Sequence, residues 1–329
     1  MKLRKYVQQT NALVLFPSMS AQWSGKRVLV TGGTGFIGSF LVEYLLDNGA
    51  EVRVPLRAQN YRSLSSRRSE VEWLEGDLRD SKYCEELIDG IDVIFHLASC
   101  RRNSEYHQKR PSDVMNENVR MTLALLEAIR EKETQVPVVF FSTANVPPAI
   151  DPIAIAQTDS IDGYVLGKAL CCTLWLAASR QRKFPLLILR PVGVYGPRDT
   201  FSIEGNVIPA LMVRTRDAKD KLKVWGDGTQ ERAFLYVEDL IRAVFMLIEN
   251  GVEGIQYITT DNIVTVRELA EGIRNLVKPG LPIEFDPTRP IGARSIPTLK
   301  VHKLLKDMPW TTLEDGLRKT YDSWNSVDR

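Results

Sequence analysis

The chain has 329 residues, 44% hydrophobic and 26% charged, enough for one large globular domain or a domain with a smaller lobe. Its 43 basic and 41 acidic side chains leave a formal charge of +2, so no nucleic acid and no membrane surface is expected as partner. The four cysteines form no CxxC pair and there are only three histidines, so no metal site is expected, and unpaired thiols suit a cytoplasmic protein.

Residues 1–24 carry basic side chains and a short apolar patch, Ala12 to Pro17, without the long apolar core and cleavage site of a secretory signal. They read as an N-terminal extension. Arg27 to Thr31 is a short apolar strand that ends in a glycine turn, and Phe36 to Asn48 repeats apolar residues at helical spacing until Gly49 stops it. Further strands are expected at Glu51 to Leu56, Val71 to Leu74, Val93 to Leu97, Val138 to Phe141 and Leu186 to Leu189. Helices are expected around Cys84 to Ile88, at Val114 to Glu131 and at Gly163 to Gln181. Strands alternating with helices predict right-handed βαβ units and an α/β, doubly wound parallel sheet. Ligands should then bind at the carboxyl ends of the strands. After Pro191 the pattern loosens into Gly- and Pro-rich segments. The expected division is a dinucleotide-binding domain over 25–190, joined by about 233–260, and a smaller C-terminal substrate-binding lobe over 191–232 and 261–329.

Gly32, Gly35 and Gly38 follow a strand and open a helix, the setting in which backbone N–H groups approach a pyrophosphate. The second strand ends Val54-Pro55-Leu56-Arg57 with no acid to take a ribose 2′-hydroxyl, so Arg57 favours NADP over NAD unless it is merely solvated. Asp77, after the third strand, either bonds the adenine amino group or caps the helix that follows. Tyr164 and Lys168 stand at i and i+4 on one helix face, where an ammonium makes a phenol more acidic and fit for proton transfer. Thr143 ends the fifth strand upstream of them and offers a hydroxyl to the same reacting oxygen.

These residues, taken in order, resemble the extended short-chain dehydrogenases/reductases, the NAD(P)-dependent epimerase/dehydratase family that modifies nucleotide sugars on a Rossmann fold. The matching segments are TGGTGFIG at 31–38, Gly76-Asp77-Leu78, His96-Leu97-Ala98-Ser99, Asn118, Phe141-Ser142-Thr143, Tyr164 with Lys168, Arg190-Pro191 and Tyr195-Gly196-Pro197-Arg198. The resemblance implies Thr143, Tyr164 and Lys168 as the catalytic set. It implies a cofactor site built from Gly32, Gly35, Phe36, Ile37, Gly38, Arg57, Asp77, Leu78, Leu97, Ala98, Ser99, Asn118 and Pro191, shared with Tyr164 and Lys168. The C-terminal half is most similar to the GDP-fucose synthases, through Asn206-Val-Ile-Pro-Ala-Leu211, Val224-Trp-Gly-Asp-Gly-Thr229 and Arg232 to Asp239. By that likeness Asn206, Val207, Arg214, Trp225 and Arg232 contact the nucleotide-diphosphate sugar, the two arginines clamping its diphosphate.

Two departures narrow the chemistry. The fucose synthases carry a Cys and a His as an acid/base pair for epimerisation where this chain has Asn145 and Asn206, and an amide carries no proton at neutral pH. Ala144-Asn145 also stands where the family's dehydratases have Asp-Glu. Hydride transfer at C4 remains, as a 4-ketoreductase using NADP or as a 4-epimerase retaining NAD; a non-catalytic cofactor-binding or scaffolding relative is the third reading. Pro147-Pro148 replaces the family's usual Tyr-Gly and is expected to alter the loop over the nicotinamide. The basic loop from Arg101 to Arg110 is either a solvated face or a substrate contact. Family members pair through the helices that correspond to Val114–Glu131 and Gly163–Gln181, which implies a homodimer.

Overall fold

The computed structural model describes residues 23–57, 62–101, 104–146, 162–260, 263–288 and 301–327. Most of the N-terminal extension, Arg102-Asn103 and Pro147-Pro148 lie outside the described residues. Among the described residues twelve strands follow in chain order: β1 (Arg27–Thr31), β2 (Glu51–Leu56), β3 (Val71–Glu75), β4 (Val93–His96), β5 (Val138–Phe141), β6 (Leu186–Pro191), β7 (Gly193–Tyr195), β8 (Leu222–Trp225), β9 (Glu231–Tyr236), β10 (Gly254–Ile258), β11 (Ile263–Thr265) and β12 (Ile283–Asp286). The α-helices are α1 (Phe36–Asp47), α2 (Ser81–Leu87), α3 (Ser104–Lys109), α4 (Pro111–Glu131), α5 (Gly163–Arg182), α6 (Val207–Asp217), α7 (Val237–Glu249), α8 (Val266–Val277) and α9 (Leu313–Val327).

Seven strands form one sheet in the order β10-β6-β5-β4-β1-β2-β3, with every neighbouring pair parallel. The doubly wound expectation therefore holds. Side-chain alternation along the strands explains why both faces are covered. Val28 and Val30 of β1, Phe95 of β4, Val139 of β5 and Leu187 of β6 enter a core beneath α1 and α7. Their neighbours Leu29, Ile94, Phe140 and Ile188 enter the opposite core beneath α2, α4 and α5. Trp23 is buried and packs edge-on to Phe245 at 5.3 Å, so the fold begins inside the segment read from sequence as an extension. Asp80, with its side chain accepting from the N–H groups of Lys82 and Tyr83, starts α2 a turn earlier than its apolar residues alone indicate.

The smaller lobe has its own core, in which Ile208, Leu211 and Met212 of α6 meet Val266, Leu269 and Ile273 of α8 and Leu317 of α9. Two small sheets, β11-β9-β7 and β12-β8, support it. β10 returns to the main sheet beside β6, and Val301, Leu305, Met308 and Trp310 pack on the first main core. No helix among the described residues is long and apolar enough to cross a membrane.

Candidate active site

The turn between β1 and α1 is built around contacts that admit no side chain. Gly32 has φ +74°, and a Cβ there would lie 2.8 Å from the backbone nitrogen of Ala98. One on Gly38 would lie 2.1 Å from the Gly32 carbonyl oxygen. Gly35 is the N-cap of α1, with no side-chain cap and no acid in the first turn. The first N–H groups, those of Phe36, Ile37 and Gly38, therefore open on a helix N-terminus suited to a diphosphate.

Thr31 ties this turn to the segment after β4. Its Oγ1 accepts from the Ala98 N–H at 3.2 Å and shares a 2.8 Å hydrogen bond with His96 Nδ1, while its carbonyl accepts from Leu97. His96 is buried, and that burial, helped by the Lys168 charge, pushes its imidazole down to about 3, so it is neutral. Asn118 organises the next two residues, Ser99 and Cys100. Its Oδ1 accepts from Ser99 Oγ and Cys100 N at 2.7 and 2.9 Å, and its Nδ2 donates to the carbonyls of Cys100 and Val114. With its four hydrogen-bonding positions filled by the chain, Asn118 holds the loop after β4.

Asp77 and Leu78 follow β3. Asp77 accepts from the Arg79 guanidinium and backbone N–H, and these bonds hold its carboxyl at about 2. Arg57, exposed at the end of β2, contributes to the same lowering. Asp80 caps α2, which removes the capping alternative for Asp77.

Tyr164 and Lys168 lie one turn apart on α5, above the ends of β5 and β6. Lys168 is 2% exposed. Its Nζ donates to the Phe141 carbonyl at 2.7 Å, lies 4.7 Å over the Phe140 ring and 5.9 Å from the Tyr164 ring centroid. No carboxylate pairs with it among the described residues, so a buried ammonium keeps two donors for an outside partner such as a ribose. Thr143 Oγ1 accepts from the Asn145 N–H at 3.2 Å, which leaves its proton to donate elsewhere. Pro191, at the end of β6, accepts from the Ala144 N–H and fixes this strand end. Asn145 is exposed.

α5 is seated by backbone contact with α4. A Cβ on Gly163 would lie 2.2 Å from the Pro111 carbonyl oxygen, so Tyr164 follows directly on a close backbone approach of the two helices. Asp162 caps α5 by accepting from the Tyr164 and Val165 N–H groups at 2.9 and 3.1 Å. Arg101, from the basic loop, stands 5.9 Å over the Tyr164 ring, and His107 stacks on it.

In the smaller lobe the Arg214 guanidinium lies 4.9 Å over Trp225 and donates to the Ile203 carbonyl at 3.3 Å. Ile203, Val207 and Trp225 are exposed apolar side chains, and Val207 is two turns before Arg214 on α6. Burial lowers the pKa of both Arg214 and Arg232, and Arg214 has no carboxylate partner among the described residues. A desolvated cation in an apolar patch suits an anionic ligand. Asn206 donates to buried Asp199. Two contributors escaped the sequence reading: His107 in the basic loop and Asp199 next to Arg198. Arg198 itself, at φ +65°, pairs with Glu43 at 2.8 Å and covers Phe40, joining α1 to the loop after β7.

Residues 28–259 match the NAD dependent epimerase/dehydratase family. A dTDP-4-dehydro-6-deoxy-D-allose reductase of Streptomyces sp is 31% identical over 83% of this chain and 88% of its own. UDP-glucuronic acid decarboxylase 6 of Arabidopsis thaliana is 30% identical over 89% and 87%. The solved structure of a Thermotoga maritima UDP-glucose 4-epimerase with UDP-glucose superposes with a TM-score of 0.77 at 24% identity, covering 92% of this chain and 100% of that one. The chain belongs to the NAD-dependent epimerase/dehydratase family. The expectation of a nicotinamide-dependent enzyme of nucleotide sugars stands on that membership.

Proposed function

We propose that the protein is a nucleotide-sugar 4-ketoreductase that returns a hexose C4 carbonyl to a hydroxyl, with NADPH as cofactor. The observation that carries this reading is a Thr143–Tyr164–Lys168 set with amides, Asn145 and Asn206, where further proton-transfer groups would stand. When bound, the nicotinamide supplies the hydride. Tyr164 protonates the C4 oxygen, Thr143 donates a hydrogen bond to it, and the Lys168 charge stabilises the phenolate that Tyr164 becomes. The α1 N-terminus and the segment from Leu97 to Ser99 hold the cofactor, with Arg57 toward the 2′-phosphate. Val207, Arg214, Trp225 and Arg232 hold the nucleotide diphosphate, with Asn206 at the sugar.

The reading extends to assembly and compartment. Leu123 on α4 and Leu170 on α5 are 46% and 41% exposed on neighbouring helices, which supports a homodimer through this face. Free cysteines support a cytoplasmic location.

The test is NADPH consumption with a dTDP-4-dehydro-6-deoxyhexose, the substrate class in the Streptomyces relative's name. Turnover is expected, and Tyr164→Phe should lose at least about a hundredfold in kcat while NADPH binding persists. Purified protein that carries tightly bound NAD and interconverts two sugars without net consumption would establish the 4-epimerase instead.

A further inference from the structure

The catalytic proposal leaves one buried, titratable ring unused, although it touches Tyr164. His107 is 5% exposed on α3, and its imidazole stacks on the Tyr164 phenol with centroids 5.1 Å apart and planes 17° from parallel. Its Nδ1 lies 3.7 Å from Asp162 Oδ1. That same carboxylate oxygen accepts from the Tyr164 and Val165 N–H groups. Asp162 thus faces both the backbone of Tyr164 and the ring covering its side chain.

We propose that His107 is a positioning residue for Tyr164, an aromatic plate that fixes the plane of the phenol and shields one face of it from water. The inference rests on the reading of Tyr164 as the proton-transfer group. Three constraints then meet on one side chain: the α4–α5 contact seats its backbone, Asp162 caps its helix, and His107 fixes its ring. A phenol free to rotate about its ring bonds would reach the reacting oxygen only part of the time, and loss of such orientation lowers turnover steeply.

Burial pushes the His107 pKa below the ordinary imidazole value, Asp162 of the α5 cap opposes that shift, and Arg101 from the loop after β4 reinforces it. The positive charges facing the phenol are then Arg101 and Lys168, each 5.9 Å from the ring centroid. His107 adds cover without adding a third cation.

The experiment compares wild type, His107→Ala, His107→Phe, His107→Gln and Tyr164→Phe. It reads kcat, sugar KM and NADPH affinity for each. His107→Ala should lower kcat about tenfold or more, with NADPH affinity and sugar KM within about twofold. His107→Phe should restore kcat to within about threefold. An unchanged kcat in His107→Ala, or a loss that Phe does not restore, with Tyr164→Phe inactive, would overturn the proposal and leave the ketoreductase reading standing. An active Tyr164→Phe would overturn that reading itself. Should the alanine variant fail to fold, Phe and Gln decide: retained kcat with Phe and loss with Gln support the plate, and equal kcat values overturn it.

Discussion

The side-chain amide of Asn206 donates to both carboxylate oxygens of Asp199, at 3.0 and 2.9 Å, linking the first turn of α6 to the loop after β7. The Thr200 N–H also reaches Asp199, at 2.7 Å. Burial raises the Asp199 carboxyl above its ordinary range, while Asn206, Thr200 and the Arg101 charge pull it back only in part. The Asn206 amide is therefore engaged in holding a loop.

A raised folded-state pKa means that the folded form holds its proton more tightly than the unfolded chain. Asp199 then contributes stability that is present at low pH and is lost as pH rises through its raised value. Asp199→Asn stays neutral throughout and keeps an acceptor for Asn206. Its melting temperature should gain on that of wild type as pH rises from about 4 to 7. A difference that stays constant across that range would contradict the assignment.

Gly38→Ala forces a methyl group against the Gly32 carbonyl, which is backbone and has little room to yield. Overpacking of this kind costs about 1–3 kcal/mol, readable as a lower denaturant midpoint. The turn must also widen where the diphosphate is to sit, so NADPH affinity should fall about tenfold or more by fluorescence titration. Wild-type affinity in the variant would detach this turn from the cofactor.

Exchange of Arg57 for Glu places a like charge where the 2′-phosphate is expected. Loss of a hydrogen bond to a charged group is worth about 1.5–3 kcal/mol, so NADPH binding should weaken roughly 10–100-fold while NADH changes little. If both cofactors weaken equally, Arg57 does not discriminate between them.

Arg214→Ala removes a half-buried guanidinium that lies over Trp225 without a carboxylate partner among the described residues. Calorimetry with dTDP should show affinity reduced roughly 10–100-fold, and lost packing on Trp225 adds to the lost charge. Unaltered dTDP affinity would place the diphosphate elsewhere.

Leu123→Asp with Leu170→Asp should convert a dimer to monomer in sedimentation, because both side chains lie on the exposed face of α4 and α5. The double variant should keep its far-ultraviolet spectrum, since neither leucine fills the core. A wild-type chain that sediments as a monomer would refute the dimer directly.

The main sheet was legible because its strands are buried on both faces and so read as unbroken apolar runs, as in Val28 to Val30 or Leu186 to Leu189. The smaller sheets were not, since β7 and β11 have three residues each and carry too little pattern to separate from loop. Tyr164 and Lys168 share a helix, so their spacing places them together. His107 and Asp199 have no such local mark. One acts through the approach of α3 to α5, the other through a loop folding over its carboxylate, and both are products of tertiary packing. Leu305 and Met308 likewise lie far along the chain from the core they fill, with no periodicity to announce it.

The contact of Gly163 with Pro111 fixes more than a helix crossing. The phenol stands one residue along from a place where two main chains touch, so its height above the sheet is set by backbone against backbone. Repacking of neighbouring side chains leaves that height unaltered, as a benchmark is unmoved by building around it. The surroundings, the loop bearing Arg101 and the turn bearing Asp199, can change while Tyr164 keeps its station.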